Sequence, residues 1–289
     1  MSSFNIPPML KRVFDSFPLL ILPDDPLPSG YLQPSKDKPL LYVFTTPADA
    51  AAGKPSFNPS CLKWQTYLKL CGIDCRIVPS SNHASPSGAL PFLISAAAAP
   101  SSATKTISVG ALRKWAAENG SAPNEIPEKE QPRVQAFLAM LNSQIRDAWL
   151  HSLYLSPTNF VTITSPQYRS TTVSAVNLIL SHQMQAAATK ELLKARPGGI
   201  INPDDIYADA ESAVSALSAV LGEDEWFFGA EEPGYFDAAV FGYTHLVLAT
   251  EWDEGEAGLM RAVKGHANLV AHEERICRTC FPGTSVREK

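Results

Sequence analysis

Missing from this sequence is any apolar run close to the roughly 20 residues that a helix needs to cross a bilayer. A transmembrane helix is therefore not expected. Positive charge is also scarce: 24 Lys and Arg stand against 29 Asp and Glu, a net charge of −5. That balance argues against a nucleic-acid partner, whose phosphates require a basic face. Cysteine is sparse and odd in number. Cys61, Cys71, Cys75, Cys277 and Cys280 fall in two clusters, which excludes a disulfide framework and fits buried thiols in a reducing compartment. The lone CxxC at Cys277 and Cys280 lacks the second ligand pair of a structural zinc site. No spacing selects Cys71 and Cys75, or His266 and His272, to complete it, so neither metal nor cofactor is expected. The opening residues lack the acid-free, Arg-rich pattern of a transit peptide, since Asp15, Asp24, Asp25 and several prolines interrupt them. What is present is 289 residues, 45% of them apolar, enough for one large or two modest domains with a real core.

The stretch that organises the rest is 224–250. It is almost wholly apolar from Phe236 to Leu248, which predicts a helix buried on all sides in a helical domain. Pro233–Gly234 breaks the chain before it. Asp237 falls at the third helical position, where a carboxylate meets free backbone N–H groups and the positive end of the helix dipole. Gly234 stands where a capping Ser or Thr would complete a capping box, so only the acidic half of that device is present. Trp226-Phe227-Phe228-Gly229 reads as an apolar plug ending in a turn.

In chain order, residues 1–36 read as an extension. Met9, Leu10, Val13, Phe14 and Phe17 share one helical face, and Leu19-Leu20-Ile21-Leu22 continues apolar until Pro23. This segment is expected either to pack on its own domain or to dock on a partner or membrane surface. Residues 37–120 read strand, helix, strand, proline-led strand, strand, helix. The first strand is 39–47, followed by a polar loop to Ser60. A helix follows from Cys61 and stops at Gly72. Further strands lie at 75–79, 91–94 and 105–108, and a helix at 110–119. Leu90–Pro91 entering a strand is explained by a cis proline. Residues 121–289 read as all helix. Val134, Phe137, Leu141, Ile145 and Trp149 line one helix over 129–155, and Ile206, Ala210, Val214, Leu217 and Leu221 line another that opens at Asn202–Pro203. Helices are also expected over 172–195 and 258–277. The fold class is thus α/β followed by all-α. The element order resembles the glutathione-transferase-like fold, with a thioredoxin-like N-terminal domain and a helical C-terminal domain.

Two spots decide whether such a fold carries glutathione chemistry. In active enzymes of that superfamily a Ser, Cys or Tyr at the start of the first helix stabilises the glutathione thiolate. Aligning on Leu68-Lys69-Leu70-Cys71-Gly72-Ile73 places Asn58 there, ahead of Pro59. Asn has no ionisable thiol or nucleophilic oxygen, although its amide can donate a hydrogen bond. Cys61 is expected to be a buried structural thiol. Glutathione binders carry an acid or Gln followed by Ser after the last strand; Ser108 and Val109 stand in those places. Leu90–Pro91, whose backbone meets the glutathione cysteinyl part in the superfamily, is retained.

A glutathione-transferase-like chain stripped of these groups resembles the metaxins. The residues that carry the resemblance are Asn58-Pro59-Ser60-Cys61-Leu62-Lys63-Trp64, Gly88-Ala89-Leu90-Pro91-Phe92-Leu93 and Phe236-Asp237-Ala238-Ala239-Val240-Phe241-Gly242. Within that family the chain looks like the smaller peripheral subunit of the mitochondrial sorting and assembly machinery, in a fungal-like form, because it ends in Val286-Arg-Glu-Lys289 rather than a hydrophobic anchor. The resemblance implies a non-enzymatic protein on the cytosolic face of the outer membrane. The implied partners are the barrel-forming core subunit, the larger metaxin-like sister subunit and β-barrel precursors, whose β-signal it helps recognise; contact with the membrane surface is compatible with it. Leu10, Val13, Phe14, Phe17, Leu19 and Leu20 are the candidate partner-binding residues. The ten acids of 223–256 and the basic residues that follow, from Arg261 to Lys289, read first as ordinary solvated faces. Two alternatives stay open: a transferase with a divergent site at Asn58, and a soluble interaction module of the same fold, which the acidic balance disfavours.

Overall fold

The computed structural model describes residues 38–96, 104–121, 130–168, 173–194, 196, 199–253, 255 and 257–283. The apolar N-terminal segment from Leu10 to Leu20 lies outside them. A four-stranded sheet is built from β1 (Leu40–Val43), β2 (Arg76–Pro79), β3 (Phe92–Ile94) and β4 (Thr106–Ile107), in the order β2-β1-β3-β4. β1 and β2 are parallel, with Leu40 opposite Arg76, whereas β3 runs antiparallel to both β1 and β4. Parallel strands need a crossover. Here it is α1 (Pro47–Ala51) and α2 (Pro59–Leu70). Leu90–Pro91 is cis, as the sequence led us to expect.

α2 is specified at both ends. Asn58 Oδ1 accepts from the N–H groups of Ser60 (3.1 Å) and Cys61 (3.2 Å), and Pro59 takes the first helical position. At the other end Gly72 adopts φ +71°, and the N–H of Ile73 reaches the carbonyl of Leu68 while that of Gly72 reaches Lys69. α3 (Leu112–Asn119) closes the sheet layer.

The helical half starts with α4 (131–155), whose α-helical turns are interrupted by π turns at Leu141–Ile145 and His151–Leu155. It continues with α5 (157–168), α6 (Ser174–Lys194), α7 (Pro203–Leu221), α8 (Tyr235–Ala249), α9 (Gly258–Lys264) and α10 (Ala267–Cys280). α8 is buried along almost its whole length, as its composition demands.

Ser35–Lys289 is one compact unit, but it holds two hydrophobic clusters. One lies on the sheet around Leu41, Leu68 and Leu93; the other lies among the helices around Leu217, Phe227, Phe236 and Phe241. They meet where α2 crosses α8. Leu62 of α2 belongs to the helical cluster, and Ala238 of α8 belongs to the sheet cluster. Gly242 allows the close approach: a Cβ there would lie 2.8 Å from the Pro59 carbonyl oxygen.

Three elements differ from the sequence reading. The polar loop after β1 contains α1, capped by Thr46, whose Oγ1 accepts from the Asp49 N–H at 3.1 Å. α5 was not foreseen, although Ser156–Pro157 is an ordinary helix opening. The single helix expected over 258–277 is two helices, broken at Gly265–His266. The break is held by tertiary bonds. Asn268 Nδ2 donates to the carbonyls of Ser218 (2.9 Å) and Gly222 (3.0 Å), tying the start of α10 to the end of α7.

Candidate functional site

The N-terminus of α2 is where the sequence pattern puts any chemistry. There the Asn58 carbonyl oxygen is fully occupied as a helix cap, and its amide lies 3.5 Å from the Tyr168 hydroxyl. Tyr168, from α5, packs edge-on against Phe44 (5.2 Å between ring centres) and Phe57 (5.3 Å). Burial and the neighbouring Tyr154 phenol push the Tyr168 hydroxyl well above its ordinary pKa, so it stays protonated. Nothing in the sequence marked Tyr168, because its contacts with Phe44, Phe57 and Asn58 are made across more than a hundred residues. Cys61, one turn into α2, is wholly buried, and burial pushes its thiol up to about 12. The helix N-terminus, which would favour a thiolate at an exposed site, does not prevail against that desolvation.

The Leu90 N–H donates to Asn82 Oδ1 at 3.0 Å. The Leu90–Pro91 feature is retained as a cis bond, with this one backbone donor engaged within the chain. Ser108 is exposed and makes no capping bond, while Val109 packs against the sheet cluster.

A second polar centre lies at the start of α8. Asp237, 1% exposed, accepts three hydrogen bonds: from the Phe227 N–H (3.0 Å), the Gly234 N–H (2.9 Å) and His272 Nε2 (3.0 Å). It therefore anchors the Phe227–Gly229 turn, the helix start and α10 at once. One of the ten acids of 223–256 is thus structural, while Glu223, Asp224, Glu225, Glu231, Glu232, Glu251 and Asp253 are exposed. Arg275 is not part of a free basic face: it donates to the Glu225 carbonyl at 2.7 Å and lies over the Trp226 ring. Of the CxxC pair, both thiols are buried, and burial pushes that of Cys280 up to about 11. Neither Cys71 and Cys75 nor His266 and His272 come to it as ligands among the described residues; His245 and Glu273 lie beside Cys277 instead. Burial lowers the His245 pKa, but its hydrogen bonds to Cys277 and Glu273 outweigh that and hold it near 9.

Among the described residues the large exposed aliphatic side chains gather at the start of α6, at Val173, Val176, Leu178 and Ile179, with Val161 on α5 and Ile200 beyond α6. No helix among the described residues is long and apolar enough to cross a membrane.

A model of the glutathione S-transferase N-terminal domain matches residues 59–159, and one of the glutathione S-transferase C-terminal domain matches residues 210–276. The structure is similar to a β-etherase, LigF, from Sphingobium sp. strain SYK-6 (TM-score 0.52, 12% identity, 83% of this chain and 95% of that one). It is also similar to glutathione transferase Omega 2S from Trametes versicolor (TM-score 0.50, 13% identity, 85% and 92%). The chain therefore has the glutathione-transferase-like fold, a thioredoxin-like half joined to a helical half. In sequence it is 28% identical to human metaxin-2 over 225 residues, 76% of this chain and 81% of the relative. It is 27% identical to Xenopus laevis metaxin-3 over 234 residues, 79% and 70% of the two chains. Metaxin-1 of Macaca fascicularis is 27% identical over 237 residues, 80% and 72%. Over about four-fifths of its length the chain is thus similar in sequence to metaxins.

Proposed function

We propose that this chain is a non-enzymatic, peripheral subunit of the mitochondrial outer-membrane sorting and assembly machinery, of the smaller metaxin type. In this reading it sits on the cytosolic face. There it binds the barrel-forming core subunit and the larger metaxin-like sister subunit, and it aids recognition of the β-signal and insertion of β-barrel precursors. The observation that carries the non-enzymatic part is the use of Asn58. Its side-chain oxygen is spent on the Ser60 and Cys61 N–H groups, so the helix end that would stabilise a thiolate is already capped. The engaged Leu90 N–H adds to this. Likeness to the metaxins supports the assembly role. The exposed aliphatic side chains of α6 supply apolar surface that an assembled partner would cover. An incoming strand needs its backbone groups and alternate apolar side chains held until it pairs, which a protein surface at the membrane provides.

The test is affinity purification of the tagged chain from gently solubilised mitochondrial membranes. Recovery of the barrel-forming subunit and the larger metaxin-like chain is expected, together with failure to bind immobilised glutathione. A monomer in the soluble fraction that is retained by glutathione and turns over a thiol-reactive substrate would establish the transferase reading instead. Deleting residues 1–22 is expected to release the chain from membranes; retention would remove Leu10, Val13, Phe14, Phe17, Leu19 and Leu20 from the docking surface.

A further inference from the structure

Three metal-ligating side chains converge where α8 packs on α10. His245 stands near the end of α8, and Glu273 and Cys277 stand one turn apart on α10. The i,i+4 spacing puts those two on one face. One ligand atom from each of the three lies within 4.8 Å of the other two. All three are buried, with 4%, 2% and 5% of their surface exposed. A core gains little stability from such a trio, since apolar side chains of similar volume serve it as well or better.

The cluster is also accessible from one side. Glu273 and Cys277 line a groove of about 800 Å³, together with Lys264, Arg278, Phe281 and Gly283 among others. The imidazole is held in place by ring contacts: Phe241 stacks on His245 at 5.0 Å and on Phe281 at 5.9 Å. The site thus has a fixed nitrogen ligand, two groups that become anionic on losing a proton, and an entry path.

We propose that His245, Glu273 and Cys277 bind one zinc ion, with a water from the groove as the fourth ligand. The donor set selects the metal. A thiolate and an imidazole beside a carboxylate suit zinc, whereas calcium and magnesium take oxygen ligands. Charge agrees as well: carboxylate plus thiolate cancel a divalent cation, which leaves a neutral centre in a buried place. His245 Nδ1 and Glu273 Oε1 are 2.7 Å apart. Tetrahedral zinc at about 2.0–2.1 Å from each would separate them to about 3.3 Å, a side-chain adjustment. The CxxC pattern thus contributes one ligand, Cys277, and not two.

The test uses the full chain, stripped of metal and titrated with Co²⁺ as a spectroscopic stand-in and then with Zn²⁺. One equivalent of Co²⁺ is expected to give a thiolate-to-cobalt charge-transfer band that Zn²⁺ abolishes. Cys277→Ser is expected to lose the band, and His245→Gln and Glu273→Gln to weaken binding at least about 10-fold, while Cys280→Ser leaves binding unchanged. Far-UV circular dichroism confirms that each variant is folded. Absence of the band in the unmutated chain overturns the proposal without any variant. So does a band that survives Cys277→Ser, or one that Cys280→Ser removes.

Discussion

Asp237 supports the strongest stability prediction. Its carboxylate accepts from the Phe227 N–H, the Gly234 N–H and His272 Nε2, and it is almost fully buried. Asp237→Ala leaves all three donors without this acceptor. Each buried orphan costs about 1–3 kcal/mol, so the loss is about 3–7 kcal/mol, with the half-buried Gly234 N–H at the low end because water can reach it. Asp237→Asn keeps the shape and one acceptor oxygen but turns an NH₂ toward one of the donors. Its better arrangement keeps the bonds to Phe227 and His272 and sacrifices that to Gly234, for about 2–3 kcal/mol. Urea unfolding followed by circular dichroism should rank the unmutated chain above Asp237→Asn, and that above Asp237→Ala. For a unit of this size the alanine variant should melt about 10 °C lower. If His272 is part of the same network, Asp237→Ala and His272→Ala combined should cost less than their sum. An alanine variant within about 0.5 kcal/mol of the unmutated chain would falsify the view that this carboxylate holds the helix start, the turn and α10 together.

Further outcomes follow from the crossing of α2 and α8 and from the buried thiol. Gly242→Ala places a Cβ against the Pro59 carbonyl oxygen at 2.8 Å; overpacking of about 1–3 kcal/mol outweighs a helix-propensity gain near 1 kcal/mol, so denaturant midpoints should fall, and a stabilised variant would refute the tight crossing. Asn58→Ala removes the α2 cap and should cost about 1 kcal/mol, with Asn58→Asp restoring most of it; an unchanged melting temperature in the alanine variant would count against the cap. The Cys61 thiol rises from 9.0 to about 12 on folding through burial, so its contribution is intact below pH 9 and is lost as pH climbs toward 12, by up to about 4 kcal/mol. Cys61→Ala should therefore flatten the alkaline limb of stability against pH, and identical slopes in the two proteins would contradict that assignment.

Much of the fold was legible because local signals agreed with one another. Gly72 closed α2, which the sequence pattern began at Cys61 rather than at Pro59; Asn202–Pro203 opened α7; the apolar run from Phe236 announced a buried helix. α1 and α5 were missed although Thr46–Pro47 and Ser156–Pro157 are openings of the same kind, because each is followed by too few periodic apolar residues to stand out. The break at Gly265–His266 was hidden for a different reason. The residues on either side keep a helical pattern, and Asn268 interrupts it by binding carbonyls fifty residues away. At the candidate site, the presence of Asn58 ahead of Pro59 could be read directly. The occupation of the Leu90 N–H by Asn82 could not, since an asparagine in a polar loop carries no mark of its partner.

The sequence by itself determined most of the order of elements, the cis proline and the buried α8, because each depends on neighbours within a few positions. Only the tertiary structure decided which groups face one another across long stretches of chain. Tyr168 is packed against Phe44 and Phe57 beside Asn58, the Asp237 carboxylate is shared among three segments, and His245 is brought to Glu273 and Cys277. Those pairings depend on how α2, α8 and α10 pack, and packing geometry is a property of the assembled core that no local pattern encodes.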